Sequence, residues 1–205
     1  MNALPPALRQ PLLAWLVSRG LVIGVAVVAW AILGVPERGV APEVPEPLSF
    51  LAAWDTTWYL DIASHGYERD VGQVGDSFSN LAFFPLLPGL MAAASALGIN
   101  PAVAAVVVSN LAFLVALIAL RQVTVLVRGE GPADVATWCL ALAPPAVVAS
   151  MAYTEGLVLA AAIGAAWASL RGRWLTAGVL AAAAALARPP GFAVAVLVGA
   201  LALSD

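Results

Sequence analysis

The sequence predicts an all-α protein, a transmembrane helical bundle with about six spans and additional external helices of amphipathic or re-entrant type. Three observations lead to this fold class. Hydrophobic residues occupy 62% of the 205 positions, charged residues occupy only 10%, and the mean hydropathy is +0.96. Apolar runs recur along most of the chain, and only one long stretch is polar. Because a water-soluble domain needs more polar side chains to cover its surface, we interpret residues 1–205 as a single transmembrane domain.

The first apolar run, 12–35, predicts the first span, since a helix that crosses a bilayer takes roughly 20 apolar residues. This run is too long for the apolar part of a cleavable signal peptide. Arg19 lies within it, about two turns from its start. We expect the long side chain of Arg19 to reach back to the nearer membrane surface.

A second apolar run covers 81–98, and it contains Pro85 and Pro88 near its start. Prolines at these positions disfavour one continuous helix. The sequence therefore predicts a re-entrant or short membrane helix in this run. The remaining spans are predicted within 101–203, where one of the apolar runs covers 135–151.

The one long polar stretch, 36–80, is predicted to form an external loop. It begins with a proline-rich piece that is typical of extended, polyproline-like backbone. Eight of the twelve acidic residues lie in the loop: Glu37, Glu43, Glu46, Asp55, Asp61, Glu68, Asp70 and Asp76. Residues 55–65 predict a short amphipathic helix on the membrane surface. The side chains of Trp54, Trp58 and Tyr59 are suited to that interface.

Asp55 has two interpretations. It precedes the predicted surface helix, where an aspartate commonly caps the first turn, and Gly66 stands where a C-terminal glycine cap is expected. A carboxylate near a membrane surface can also take a proton as a general base. Spacing alone favours the cap.

Two polar clusters interrupt the later apolar runs: Tyr153-Thr154-Glu155-Gly156 and Arg188-Pro189-Pro190-Gly191. Each has a structural interpretation, because Glu155 can stabilise the N-terminus of the next helix and Arg188 can be a boundary charge. If both clusters converge with Asp55, two carboxylates and an arginine would suit proton abstraction beside a bound phosphate.

The arginines predict the topology. If residues 81–98 enter the membrane and return, one group of arginines falls on the cytoplasmic side, as the positive-inside tendency favours. These arginines are Arg9, Arg121, Arg128, Arg171 and Arg173. The 36–80 loop and both polar clusters then face the external side. We expect a multi-pass protein of the cell membrane, with a cytoplasmic N-terminus and an external active face.

Several other functions are disfavoured by the composition. The net charge of −3 does not indicate a nucleic-acid partner. Cys139 is the single cysteine and lies in an apolar run, so it provides no disulfide framework. The lone histidine, His65, argues against a histidine-based metal centre. No metal site is predicted, although dependence on a divalent metal ion stays open.

Five motifs in order carry a family resemblance. They are Trp54-Asp55-x-x-Trp58-Tyr59-Leu60-x-Ile62-Ala63-x-x-Gly66-Tyr67, Ala82-Phe83-Phe84-Pro85-Leu86-x-Pro88, Ser109-Asn110, Tyr153-Thr154-Glu155-Gly156 and Arg188-x-x-Gly191. Together they resemble the GPI mannosyltransferase 2 (PIG-V) family and its bacterial relatives, which are membrane glycosyltransferases of the GT-C class. Members of that family are usually longer, so the chain is expected to be an N-terminal portion of a longer architecture.

The resemblance implies transfer of mannose from a polyprenyl-phosphate-linked donor to a glycolipid or glycan acceptor, on the external face and with inversion. The donor is a substrate, and no other cofactor is implied. In GT-C enzymes the first external loop carries an essential acidic residue, and the resemblance maps it to Asp55 as the catalytic base. The resemblance further implies that Glu155 and Arg188 bind substrate, Arg188 through the lipid phosphate. Trp54, Trp58, Tyr59 and Tyr153 are further candidates for substrate binding.

Two other functions are kept as alternatives. In a small-molecule transporter or channel, Glu155 and Arg188 would be ligands near broken helices. A non-catalytic subunit of a membrane assembly is the second alternative, and the shortness of the chain favours it. Membrane lipids are expected partners in every case, and the oligomeric state is not predicted.

Overall fold

The computed structural model describes residues 5–34, 49–68 and 79–204, and these form an all-helical structure without a β-sheet. In chain order the α-helices are α1 (Pro6–Leu33), α2 (Thr56–His65), α3 (Leu86–Ala96), α4 (Pro101–Arg128), α5 (Glu130–Leu142), α6 (Glu155–Ser169), α7 (Trp174–Ala187) and α8 (Gly191–Ser204). Three short 3-10 helices cover Ser49–Ala52, Asn80–Ala82 and Pro144–Ser150. The predicted all-α fold class is confirmed in this part of the chain.

Two helices, α1 and α4, are long and apolar enough to cross a membrane. Each has 28 residues, which corresponds to about 42 Å of helix. Both begin with proline, whose fixed φ suits the first helical position. At α4 the side chain of Asn100 also accepts hydrogen bonds from the backbone N–H groups of Ala102 and Val103, at 3.0 and 3.1 Å. The predicted span 12–35 therefore corresponds to a helix that begins earlier, at Pro6.

The other helices are shorter than a full span. The apolar run 135–151 is interrupted where α5 ends at Leu142, and the 3-10 helix Pro144–Ser150 continues at an angle of 71°. Helices α6, α7 and α8 have 15, 14 and 14 residues. These lengths give about 21–22 Å, against about 30 Å for a bilayer core. The described residues thus give two spans, or three if the bent pair is one span, and the expectation of about six is not confirmed.

The run 81–98 contains a 3-10 turn followed by α3, a helix of 11 residues. Leu87 and Met91 on α3 are buried and pack in one cluster with Ala102 and Ala105 of α4. This helix is too short to cross a bilayer. A re-entrant path for 81–98 stays a prediction.

Alanines dominate the contacts between the last three helices. A buried cluster of α6, α7 and α8 contains Ala165, Ala168, Ala177, Ala181 and Val198. Small side chains let helix backbones approach closely where hydrophobic collapse provides no drive, as in a membrane. The outer faces are covered by large apolar side chains such as those of Leu175 and Leu203, which are 84% and 92% exposed. This distribution is that of a membrane protein.

Arg19 lies in the protein interior, and the expectation that it reaches back to the membrane surface is wrong. Its side chain is only 3% exposed. The guanidinium Nη1 donates to the carbonyl oxygen of Ala146 at 3.0 Å and to the hydroxyl of Ser150 at 2.7 Å. Hydrogen-bond acceptors on a neighbouring segment therefore hold Arg19 inside the helix assembly.

Helix α4 connects two polar regions of the protein. Its first turns pack against α2 and α3. Toward its other end, Nε of Arg121 donates to the Asp134 carboxylate of α5 at 2.8 Å. The turn that carries Arg171 and Arg173 borders an apolar groove of about 740 Å³, which also includes α4 residues next to Arg121. These arginines therefore lie at one end of the helix assembly, away from α2 and α3.

Parts of the predicted external loop, 36–48 and 69–78, lie outside the described residues. The predicted proline-rich extended piece lies there. So do the acidic residues Glu37, Glu43, Glu46, Asp70 and Asp76.

Candidate functional site

The site is built around an ion pair between two helix ends. Glu155 is the first residue of α6, and Arg188 follows the last residue of α7. Nη1 of Arg188 donates to Oε1 of Glu155. The side chains are 27% exposed for Glu155 and 43% exposed for Arg188, so the pair is accessible. Opposite charges at these helix ends also match the helix dipoles.

The glycine of the first polar cluster explains how close this pair lies to α4. A Cβ atom at Gly156 would come within 2.5 Å of the Ser109 carbonyl oxygen and 3.3 Å of the Phe113 nitrogen. Only glycine allows such an approach between α6 and α4. The hydroxyl of Ser109 also donates to the carbonyl oxygen of Tyr153. The Ser109-Asn110 motif therefore positions the turn that carries Tyr153 and Glu155.

Gly191 plays the same part after Arg188. A Cβ atom there would overlap the backbone of Ala184 and Ala185 in α7. Gly191 begins α8, so the glycine allows the tight turn from α7 to α8. Both motif glycines are thus explained by close backbone contacts beside the site.

Asp55 stands at the N-terminus of α2, which runs from Thr56 to His65 where 55–65 is predicted. Its side chain makes no capping hydrogen bond, so the capping interpretation is wrong. Gly66 does end the helix as expected, with φ of 82° and its N–H donating to the carbonyl of Ile62 at 2.9 Å. Asp55 is exposed, and its carboxylate makes no hydrogen bond that caps the helix.

Trp54, the residue before Asp55, has an unusual backbone. Its φ is 52°, in the left-handed region that bulky side chains rarely adopt. Its side chain is 67% exposed. Its neighbours Ala52 and Ala53 are buried, which fixes the turn on one side. Strained backbone of this kind clusters at functional sites.

Tyr153 connects the Asp55 turn to the start of α6. Its hydroxyl donates to the carbonyl oxygen of Ala53 at 3.3 Å. Next to it, the N–H of Ala152 donates to the carbonyl of Leu51 at 2.7 Å. Burial and then the negative charge of Asp55 raise the pKa of Tyr153 to about 12, with Glu155 acting in the same direction. The phenol is therefore neutral at physiological pH.

Tyr59 on α2 completes the site. It is 6% exposed. Burial raises its pKa above the ordinary value, the charges of Asp55 and Glu155 add to this rise, and the charge of Arg188 opposes it. Asp55, Glu155 and Arg188 therefore all lie close enough to Tyr59 for their charges to act on it, and Glu155 and Arg188 contact each other.

Phe83 supports the site, although nothing about this residue in the sequence marks it as a candidate. Its ring stacks on Trp58 at a centroid distance of 5.7 Å and meets Tyr59 edge-on at 5.2 Å. The hydroxyl of Tyr67 donates to its carbonyl oxygen at 2.8 Å. Trp58 therefore packs against another side chain of the protein, so its role is at least partly structural. The Ala82-Phe83-Phe84-Pro85 motif points to Phe83 indirectly, because it is part of one of the motifs that carry the family resemblance.

Asn80 is the second supporting residue, and it is fully buried. Its amide nitrogen donates to the Asp61 carboxylate at 3.1 Å and to the Gly66 carbonyl at 3.2 Å. Asp61 also contacts the ring of His65 at 3.1 Å. Asp61 and His65 therefore hold the end of α2, on the opposite end of that helix from Asp55.

Within the described residues, no three His, Cys, Asp or Glu side chains are grouped so as to hold a metal ion. The apolar groove of about 740 Å³ contains no residue of the site. Its lining comes from α4, α6, α8 and the turn before α7.

Comparison with protein families identifies a match. Residues 34–201 match the family model described as Mannosyltransferase (PIG-V). Neither the curated proteins nor the solved structures contain a match to the chain. The matched region includes every motif of the site, and it covers more than half of the chain. The chain therefore belongs to the mannosyltransferase (PIG-V) family and is a membrane glycosyltransferase.

Proposed function

We propose that the protein transfers mannose from a polyprenyl-phosphate-linked donor to a hydroxyl group of a glycolipid or glycan acceptor, with inversion at the anomeric carbon. One observation carries this proposal. The exposed carboxylate of Asp55 makes no capping hydrogen bond, and its charge acts on the same two tyrosines, Tyr59 and Tyr153, as the charge of Glu155 in the Glu155–Arg188 pair. A base and a cation so arranged suit attack on one side of a sugar and departure of a phosphate on the other.

Asp55 acts as the base. As the acceptor oxygen forms its bond to C1 of mannose, the hydroxyl proton passes to the Asp55 carboxylate. The bond between C1 and the phosphate oxygen breaks, and its electron pair leaves with the polyprenyl phosphate. Because attack and departure occur on opposite faces of C1, the configuration inverts. The lack of a capping bond supports this role, since the carboxylate oxygens are available to a substrate.

Arg188 stabilises the departing phosphate. The negative charge on the phosphate grows as the C1–O bond breaks. A guanidinium has several N–H donors and can bind the phosphate oxygens. One of these nitrogens, Nη1, is held by Glu155, which fixes the direction of the side chain. Glu155 therefore orients Arg188, and its second oxygen, Oε2, is buried beside the pair. The 43% exposure of Arg188 supports access to a ligand.

The aromatic residues bind the substrates. Tyr153 is neutral, and because its proton is donated to the Ala53 carbonyl, its hydroxyl oxygen can accept a hydrogen bond from a sugar hydroxyl. The exposed ring of Trp54 beside Asp55 offers an apolar face to the acceptor. Trp58 and Tyr59 shape the wall of the site through their contacts with Phe83.

The reaction takes place on the external face of a multi-pass membrane protein. The grouping of Arg121, Arg171 and Arg173 at the end away from α2 supports this orientation, because positive loops stay cytoplasmic. Cysteines introduced at Ser64 and Gly131, in a Cys139→Ala background, test it in intact cells. An impermeant thiol reagent should label the first and not the second, and the reverse pattern would overturn the orientation.

The donor is tested with purified protein in liposomes. Polyprenyl-phosphate mannose and GDP-mannose are offered separately, with octyl α-mannoside as the acceptor probe. We expect transfer from the lipid-linked donor only, and a product whose new anomeric configuration, measured by NMR, is opposite to that of the donor. Transfer from GDP-mannose alone, or retention of configuration, would contradict the proposal.

A further inference from the structure

Arg19 is an arginine buried at mid-length in α1, one of the two helices that are long enough to cross a membrane. Its guanidinium lies over the ring of Phe113, 4.6 Å from the centroid. Nη1 donates hydrogen bonds to the Ala146 carbonyl and to the Ser150 hydroxyl, and Nε donates to the hydroxyl of Ser18 at 3.4 Å. Among the described residues no carboxylate pairs with it. A charge in an apolar helix is costly, and such residues commonly serve function.

The segment that Arg19 holds is a broken helix. The 3-10 helix Pro144–Ser150 starts with two prolines, which lack N–H groups and end the regular pattern of α5. Backbone carbonyls freed by such a break need donors from neighbouring helices when no water is present. Arg19 supplies one to Ala146. Asn110 of α4 supplies another, since its amide donates to the Ser150 carbonyl at 3.1 Å.

This broken segment leads directly to the site. Residues 151–154 follow it and connect to α6 at Glu155. Ala152 is bonded through its N–H to Leu51, and its carbonyl oxygen accepts from the hydroxyl of Thr56 at 3.5 Å. Leu51 and Thr56 flank Asp55 in the chain. One strut, residues 144–154, therefore contains Tyr153, leads directly to Glu155 and also contacts the residues on either side of Asp55.

We infer that Arg19 is a positioning residue for the transfer reaction. By fixing the start of the 144–154 strut, it sets where Tyr153 and Glu155 stand relative to Asp55. It touches no substrate. The inference rests on the proposed function, in which Asp55 and Arg188 act on one sugar phosphate. A small displacement between such groups lowers the rate far more than it lowers binding.

The test compares Arg19→Gln, Arg19→Lys and Ser150→Ala with Arg121→Gln as the matched control. Arg121 is also a buried arginine, but it pairs with Asp134 at the far end of α4. We expect Arg19→Gln to lower kcat about tenfold to a hundredfold with the KM for polyprenyl-phosphate mannose nearly unchanged. Arg19→Lys, which keeps the charge and can still donate hydrogen bonds from one nitrogen, should recover part of kcat. Ser150→Ala should also lower kcat. Arg121→Gln should lower the melting temperature and leave kcat unchanged.

Hydrogen exchange measured by mass spectrometry gives a readout that does not depend on activity. In Arg19→Gln the peptides covering 144–154 and 49–56 should exchange faster, while the peptide covering 191–204 should be unchanged. If exchange becomes faster in Arg19→Gln but the wild-type protein shows no mannosyl transfer, then Arg19 does position residues 144–154 and the proposed function is wrong. Unchanged exchange in 144–154, or a wild-type kcat with a lower melting temperature, would overturn the inference.

Discussion

The carboxylate of Glu155 and the guanidinium of Arg188 form an ion pair although 33 positions separate them in the chain. The pair joins the start of α6 to the end of α7, and the charge of Glu155 raises the pKa of both Tyr59 and Tyr153. It ties two short helices together at the point where the site is formed. The same contact therefore serves both stability and the proposed chemistry, and substitutions can separate the two.

Arg188→Gln should lower the free energy of unfolding by about 1 kcal/mol, because it leaves the partly buried Glu155 carboxylate without its cation. The double variant Glu155→Gln/Arg188→Gln should recover most of that stability, since neither charge is then left alone. Transfer activity should stay lost in both variants, because only the arginine can stabilise the phosphate. Chemical denaturation and a transfer assay on the same samples measure the two effects. Recovery of activity in the double variant would rule out Arg188 as the phosphate ligand.

Gly156→Ala should separate α6 from α4. The added Cβ would lie 2.5 Å from the Ser109 carbonyl oxygen, so the helices must shift, at a cost of about 1–3 kcal/mol. Gly178→Ala in α7 is the matched control, because its Cβ would meet nothing within 4 Å. That control should be stabilised by about 0.5–1 kcal/mol, since alanine favours a helix. Thermal unfolding in detergent measures both, and equal effects would disprove the close contact.

Trp54 tests the strain at the Asp55 turn. Trp54→Gly and Trp54→Ala both remove the ring, but only glycine relieves a backbone with φ of 52°. The glycine variant should therefore be more stable than the alanine variant by about 1 kcal/mol. Both should raise the KM for octyl α-mannoside, because the exposed ring is lost. If the alanine variant were the more stable one, the left-handed backbone at this position would be refuted.

The raised pKa of Tyr153 predicts that the folded protein loses stability at alkaline pH. Its pKa is raised to about 12 in the folded protein, chiefly by burial and then by the charge of Asp55, against about 10 when unfolded. The folded state therefore holds this proton more tightly. The stabilisation is complete below pH 10 and is lost as pH rises through about 12. Tyr153→Phe should show a shallower loss of stability across this range in denaturant titrations. An identical slope in both proteins would mean that Tyr153 titrates normally.

The all-helical membrane fold is predictable from sequence because apolar runs of this length have few other structures available. The burial of Arg19 is not predictable, since its acceptors on Ala146 and Ser150 lie 127 and 131 positions away. The bend at Pro144 is missed for a related reason. Hydropathy averages over a run, and it does not register where a proline pair breaks the hydrogen-bond pattern.

The candidate site is predictable in part. Glu155 and Arg188 stand out as charges between apolar runs, and the structure pairs them. Asp55 is harder, because spacing alone favours a cap, and only the side-chain geometry removes that role. Phe83 and Asn80 support the site through contacts with residues 12 or more positions away, such as Asp61 and Tyr59. Such contacts depend on tertiary packing and leave no local pattern in the sequence.

The most direct test of the proposed mechanism is the rate of mannosyl transfer by Asp55→Asn. Asparagine keeps the size of the side chain but neither the charge nor the capacity to take a proton, so the rate should fall by roughly a hundredfold or more. Asp61→Asn is the control. Its carboxylate bonds to Asn80 and His65, so this change should lower stability and leave the rate per folded molecule near wild type. If Asp55→Asn transferred mannose from polyprenyl-phosphate mannose at the wild-type rate, Asp55 would not be the base.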